Sequence, residues 1–216
     1  MTKKSKMDGN RVFRNFDELL RLSYQRTPCQ SYPMKCKPRE IKHVVWDADD
    51  TIWDIAPYGI ATYCSPPYKK INDETLESDC YRLTTRKEND QVKITKERTH
   101  STIRLKPSLV STLNELESKG IGSSISSANQ PGSVDGILNA FGIKDKFSVI
   151  ESNWDPKPRQ VQRIILKTGV PGEKMMFIDD MAHNAIDVNE IHDTLSLVMG
   201  NDIMSPKEIL SFIKEE

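Results

Sequence analysis

The sequence has no surplus of charge: 31 Lys and Arg stand against 31 Asp and Glu in 216 residues. A zero balance argues against a nucleic-acid coat or a polybasic membrane binder. No apolar run approaches the roughly 20 residues that span a bilayer. The basic residues 1–7 lead into no apolar segment, so a secretory signal is not expected. Cysteine is scarce. Cys29, Cys36, Cys64 and Cys80 are widely spaced and form no CxxC pair, which excludes a zinc ribbon or a dithiol redox motif. Without a secretory signal these are expected to be reduced thiols in a cytoplasmic protein. There is no internal repeat and no low-complexity segment. What remains, 37% hydrophobic and 29% charged residues, is polar for a globular protein but not a disordered composition. The length suits one domain with an appendage.

Residues 1–40 read as an N-terminal extension. A polar, basic tail precedes a short helix at residues 16–23, with Phe16, Leu19 and Leu20 on one face. Pro28, Pro33 and Pro38 then break regular structure, and the extension is expected to act as a strap on the main domain. From residue 41 to 216 the pattern alternates. Short apolar runs at 43–46, 147–151, 174–180 and 195–199, and a run rich in small residues at 121–127, read as strands. Helical spacing marks residues 107–119 (Leu109, Val110, Leu113, Leu116), 134–141, 158–167 and 182–191, three of them closed by Gly120, Gly142 and Gly169. Ser205-Pro206 opens a last helix with a cap and a first-turn proline. Strands alternating with helices predict an α/β fold, a doubly wound, Rossmann-like parallel sheet of five strands.

Ligands of such a sheet bind outside the carboxyl ends of its strands. The first strand ends in Asp47-Ala48-Asp49-Asp50-Thr51, the second in Ser126-Ser127, and the fourth in Asp179-Asp180; Lys157 follows the third within a short loop. Carboxylates crowded on one rim repel each other unless a cation neutralises them. An all-oxygen donor set suits a hard ion, Mg²⁺ being the usual one for work on phosphate. One aspartate can act as a nucleophile, a second carboxyl can move the proton, and a hydroxyl and an ammonium can hold phosphoryl oxygens.

These residues carry a resemblance to a known family. The run 44–53 (VVWDADDTIW) resembles the first motif of the haloacid dehalogenase superfamily, an apolar strand followed by DxDxT. Ser127, Lys157 and Asp179-Asp180 resemble its second, third and fourth motifs, in the right order. Residues 47–191 are similar in particular to the magnesium-dependent phosphatase-1 branch. That likeness includes the tryptophan after the first motif, Pro66-Pro67-Tyr68, and Asn184 after the fourth. The resemblance implies Asp47 as nucleophile and Asp49 as general acid/base. It implies Mg²⁺ on Asp47, the carbonyl of Asp49 and Asp179, with Asp180 in or near the shell, and a phosphoryl group held by Ser127 and Lys157. Ala128 departs from the arginine of that branch, and adjacent Ser126 is the alternative to Ser127.

Simpler roles stand beside these. Asp180 could cap the next helix. His183 suits a surface helix, and Trp53 and Tyr58 either line a substrate mouth or pack the core. Residues 66–103 are too few for a helical cap domain. The alternation of Val92, Ile94, Ile103 and Leu105 suggests a small β-hairpin instead and hence an open site. The expected function is a Mg²⁺-dependent phosphomonoester phosphatase with an aspartyl-phosphate intermediate. Its substrate would be a phosphorylated protein side chain or a sugar phosphate, and it would work as a monomer without nucleic acid or membrane. The alternative is a catalytically silent phosphate- or Mg²⁺-binding or signalling module of the same fold. A receiver module fits less well, because it carries its phosphorylated Asp after the third strand, which here ends in Glu151-Ser152-Asn153.

Overall fold

The structure, a computed structural model, describes residues 38–57, 62–88 and 91–214. The short helix expected at residues 16–23, with Cys29 and Cys36, lies outside them. Five parallel strands form the main sheet: β1 (His43–Trp46), β6 (Gly122–Ser127), β7 (Val149–Ser152), β8 (Met175–Asp179) and β9 (Leu195–Val198). Their spatial order is β7-β6-β1-β8-β9, so the first strand lies in the middle. The doubly wound α/β sheet read from the sequence is therefore present.

Alternation along the central strands divides the core. Val44 and Trp46 of β1 join Ile125 and Ile178 on one face, beneath α1 (Leu109–Ser118) and α2 (Ser133–Phe141). Val45 joins Met175 and Phe177 on the other, under Val161 and Ile164 of α3 (Lys157–Thr168) and Val188 of α4 (Ala182–His192). A strand buried on both faces reads as a continuous apolar run, which is why β1 and β8 were conspicuous in the sequence. β6 is the exception, since four of its six residues are serines. Its buried hydroxyls are paired: Ser124 with His43 Nε2 at 2.7 Å, Ser123 with the Trp46 indole at 3.4 Å, and Ser126 with Gln160 at 2.9 Å. Gly122 lies against the His43 ring, and a Cβ there would come within 2.5 Å of Nδ1.

Between β1 and α1 the chain builds a second sheet. β2 (Trp53–Ala56), β3 (Thr62–Asn72), β4 (Thr75–Glu88) and β5 (Gln91–Leu105) are antiparallel in the order β2-β5-β4-β3. The sequence suggested one small hairpin at 66–103; the described chain forms three strands over 62–105 and joins them to β2. This stretch contains no helix among the described residues, and so no helical cap. One face packs on α2, where Tyr68 covers Gly136 and Ser133 Oγ donates to the Cys64 carbonyl at 2.9 Å. The other face is polar, with Lys69 on Glu77, Arg98 on Asp79, and Lys96 over the Tyr81 ring. Cys64 and Cys80, opposite each other in β3 and β4, are joined as a disulfide. This corrects the expectation of reduced thiols for that pair: hairpin register puts their Cα atoms 4.1 Å apart, and no sequence spacing signals such a pairing.

The last helix is a 3₁₀ helix over Pro206–Phe212 rather than an α-helix, closed by i→i+3 bonds such as Glu208 N–H to Ser205 O at 3.1 Å. Among the described residues no helix is long and apolar enough to cross a membrane.

Candidate active site

Register brings the acids together. β1 and β8 are neighbours with Trp46 opposite Ile178, so the residues that follow, Asp47 and Asp179, emerge side by side. The Asp47 N–H donates to the Ile178 carbonyl at 2.8 Å, which keeps the two chains in step to the end of the strands. Asp47, Asp179 and Asp180 each offer a carboxylate oxygen within 4.8 Å of the others. Lys157, the first residue of α3, reaches over from the third strand's loop. Its ammonium donates to Asp47 Oδ1, to the Ser126 carbonyl at 2.5 Å, and approaches Asp179 Oδ2 at 3.2 Å. Lys157 and Asp179 are buried, and the Asp47 side chain retains 10% exposure.

The electrostatics follow from this enclosure. Burial pushes the Asp47 carboxyl well above the ordinary carboxylate range. The Lys157 charge opposes the rise, and the charges of Asp179 and Asp49 add to it. Burial also disfavours the Lys157 ammonium, but Asp47 and Asp179 outweigh it and hold the group charged. Asp180 is pushed up to about 7, by burial and then by the charges of Asp179 and Asp50. One ammonium among three carboxylates leaves uncompensated negative charge. The donor set, oxygens only and within reach of one point, fits a hard divalent cation, whose charge would favour the ionised forms of Asp47 and Asp180.

Asp179 is locked from behind: Oδ1 accepts the Met181 N–H at 2.8 Å, and the Asn184 amide donates to both oxygens at 3.0 and 3.1 Å. Asp180 has no capping bond to α4, whose first residue follows Met181 without a side-chain cap. Its carboxylate instead faces the acid cluster. Asp49 stands apart, accepting the Trp53 indole N–H on Oδ1 at 2.7 Å and the Asn129 amide on Oδ2 at 3.0 Å. Burial raises it to about 6, against the Trp53 hydrogen bond. Ser126 turns its hydroxyl away from the rim to Gln160, whereas Ser127 ends β6 beside it. His183 is half-buried on α4, and Tyr58 lies outside the described residues.

Gln160 and Asn129 carried no weight in the sequence reading. Gln160 is fully buried, and its amide donates to the carbonyls of Ser127, Asn153 and Asp155 at 3.3, 3.0 and 2.9 Å. It thereby ties the end of β6 to the loop that delivers Lys157. A glutamine three residues after Lys157, on the helix face that also carries Val161 and Ile164, was the signal available. Asn129 had no such pattern around it.

The haloacid dehalogenase-like hydrolase family matches residues 41–186, about two thirds of the chain. The chain belongs to this family. Among curated proteins, this haloacid dehalogenase-like hydrolase is 26% identical to human magnesium-dependent phosphatase 1 over 151 residues, which are 69% of this chain and 73% of that protein. A superfamily hydrolase of Ehrlichia chaffeensis shares the fold with a TM-score of 0.52 and 13% identity, over 82% of this chain and 97% of the other. One from Geobacter sulfurreducens aligns over 51% of this chain and 62% of its own, with a TM-score of 0.46 and 15% identity.

Proposed function

We propose that the protein is a Mg²⁺-dependent phosphomonoester phosphatase working through an aspartyl-phosphate. The observation that carries the reading is the placement of Asp47, Asp179 and Asp180 around one point, with Lys157 on the first two and Asp49 held two residues away. The likeness to a magnesium-dependent phosphatase supports the same metal and reaction.

Asp47, Asp179 and Asp180, with the carbonyl of Asp49, would hold the ion. When bound, Mg²⁺ neutralises these acids and stabilises negative charge on the phosphoryl oxygens. An oxygen of Asp47 attacks phosphorus as the bond to the leaving oxygen breaks, and Asp49 gives that oxygen its proton. Asp49 then takes a proton from the water that attacks the acyl phosphate, releasing inorganic phosphate and regenerating Asp47. Lys157 and the Ser127 hydroxyl hold the remaining phosphoryl oxygens, and Ser126, committed to Gln160, serves structure. The described insert carries no helical lid, which suits a phosphorylated protein side chain or a sugar phosphate.

The test is phosphate release from p-nitrophenyl phosphate, phosphopeptides and sugar phosphates, with Mg²⁺ and with EDTA. Turnover is expected only with the metal, and Asp47→Asn should abolish it. Full turnover of metal-free protein in excess chelator refutes the metal requirement. Mg²⁺ binding without any phosphate release would mean the silent-module alternative.

A further inference from the structure

The Trp53 indole N–H and the Asn129 side-chain amide donate to the same carboxylate, that of Asp49. Trp53 opens β2 and is fully buried, yet its indole finds an acceptor only four residues back in the chain, at Asp49 Oδ1. The tight loop that permits this is closed by Asp50 N–H to Trp53 O at 2.8 Å and Trp53 N–H to Ala48 O at 3.3 Å. Asn129 comes from the far side, in the loop after β6, two residues beyond Ser127, and is 2% exposed. Its amide orientation is determined, because Oδ1 accepts the Gln130 backbone N–H at 2.8 Å and a backbone N–H can only donate. The amide nitrogen therefore faces Asp49 Oδ2, at 3.0 Å. Each oxygen of Asp49 is pinned by one donor from a different element, which stops the carboxyl from turning about its own axis. One lone-pair position on each oxygen stays free for the proton in transit.

We propose that Trp53 and Asn129 are positioning residues, a two-point clamp that aims the Asp49 carboxyl at the leaving oxygen. The inference rests on the phosphatase reading above and deepens it. The clamp couples the proton donor to two separate elements: the insert sheet, which begins with Trp53, and the loop that follows Ser127. A carboxyl held by one donor rotates, and proton transfer weakens because geometry, rather than the presence of the acid, is lost.

The experiment measures kcat/KM, which reports phosphoryl transfer rather than later hydrolysis of the phosphoenzyme, across esters from p-nitrophenyl to alkyl phosphates. Wild type, Asp49→Asn, Asn129→Ala and Trp53→Phe are compared, the last keeping an aromatic ring in the core. For alkyl phosphates each clamp variant should lose up to about 100-fold, whereas for p-nitrophenyl phosphate, whose leaving group needs no proton, the loss should nearly vanish. Adding Asn129→Ala to Asp49→Asn should cost nothing further, since the amide acts only through that carboxyl. Equal losses across the ester series, or losses that add to those of Asp49→Asn, overturn the clamp and leave Trp53 and Asn129 as packing residues. If Asn129→Ala does not fold, Trp53→Phe carries the same comparison. A flat series for Asp49→Asn itself defeats the acid/base assignment. A steep series for Asp49→Asn beside flat clamp variants defeats the clamp alone.

Discussion

The two sheets handle charge in opposite ways. In the parallel sheet, charged and polar groups sit where water is excluded: Lys157 between Asp47 and Asp179, His43 on Ser124, Gln160 beneath Ser127. In the antiparallel insert the ion pairs lie on the outer face, and Arg98 and Asp79 keep 69% and 48% of their side-chain exposure. The lesson is that an ion pair's consequence depends on what happens to the survivor when its partner is removed. A buried survivor loses both its partner and its water, whereas an exposed one simply rehydrates.

The largest effect should come from breaking the buried pair. Lys157→Met in metal-free protein leaves Asp47 and Asp179 facing each other without a counter-charge, and it should cost about 3–5 kcal/mol. Urea unfolding with EDTA, fitted for wild type and variant, measures it. Added Mg²⁺ should recover part of the loss, because the cation replaces the missing positive charge. An unchanged midpoint would mean that breaking the buried pair costs nothing and that the contrast between the sheets is false.

The next sharpens the contrast through pH. Burial pushes His43 down to about 4, below its ordinary value near 6.5. Its folded form therefore stays neutral while the unfolded chain becomes protonated. The stabilisation is complete above pH 6.5, declines as pH falls from 6.5 to 4, and is fully lost below that. The loss should be about 3 kcal/mol at most. His43→Gln should flatten this part of the stability–pH curve relative to wild type. Identical slopes would place the titration elsewhere.

The smallest effect belongs to the insert. Arg98→Ala removes one partner of Asp79 on an open face and should leave the urea midpoint within error, at low and high salt alike. A clear loss would show that the insert's outer face is shielded in solution.

Much of the candidate site was legible in the sequence, because its chemistry is carried at strand ends. The run 44–53 and the pair Asp179-Asp180 stand out as acids after apolar strands, and the structure puts both on one rim. Which of Ser126 and Ser127 turns to Gln160 was not legible. Strand alternation says only that the two hydroxyls point to opposite faces, and which face holds Gln160 depends on where α3 packs. The insert was half legible: Ile103 and Leu105 alternate as strand residues do, but its inner face also uses Cys64, Ser78 and Cys80, which carry no strong strand signal.

The sequence by itself determined the order of the five parallel strands and of the helices between them, and the positions of the acids along the chain, because each rests on local periodicity or short spacing; the family was legible from the likeness of those motifs. Tertiary structure alone decided what meets across long separations. The Lys157–Asp47 pair, 110 residues apart, the Asn129–Asp49 bond, 80 apart, and the Cys64–Cys80 disulfide are set by strand order, helix packing and hairpin register. Those depend on how whole apolar faces bury one another, which no short stretch of residues encodes.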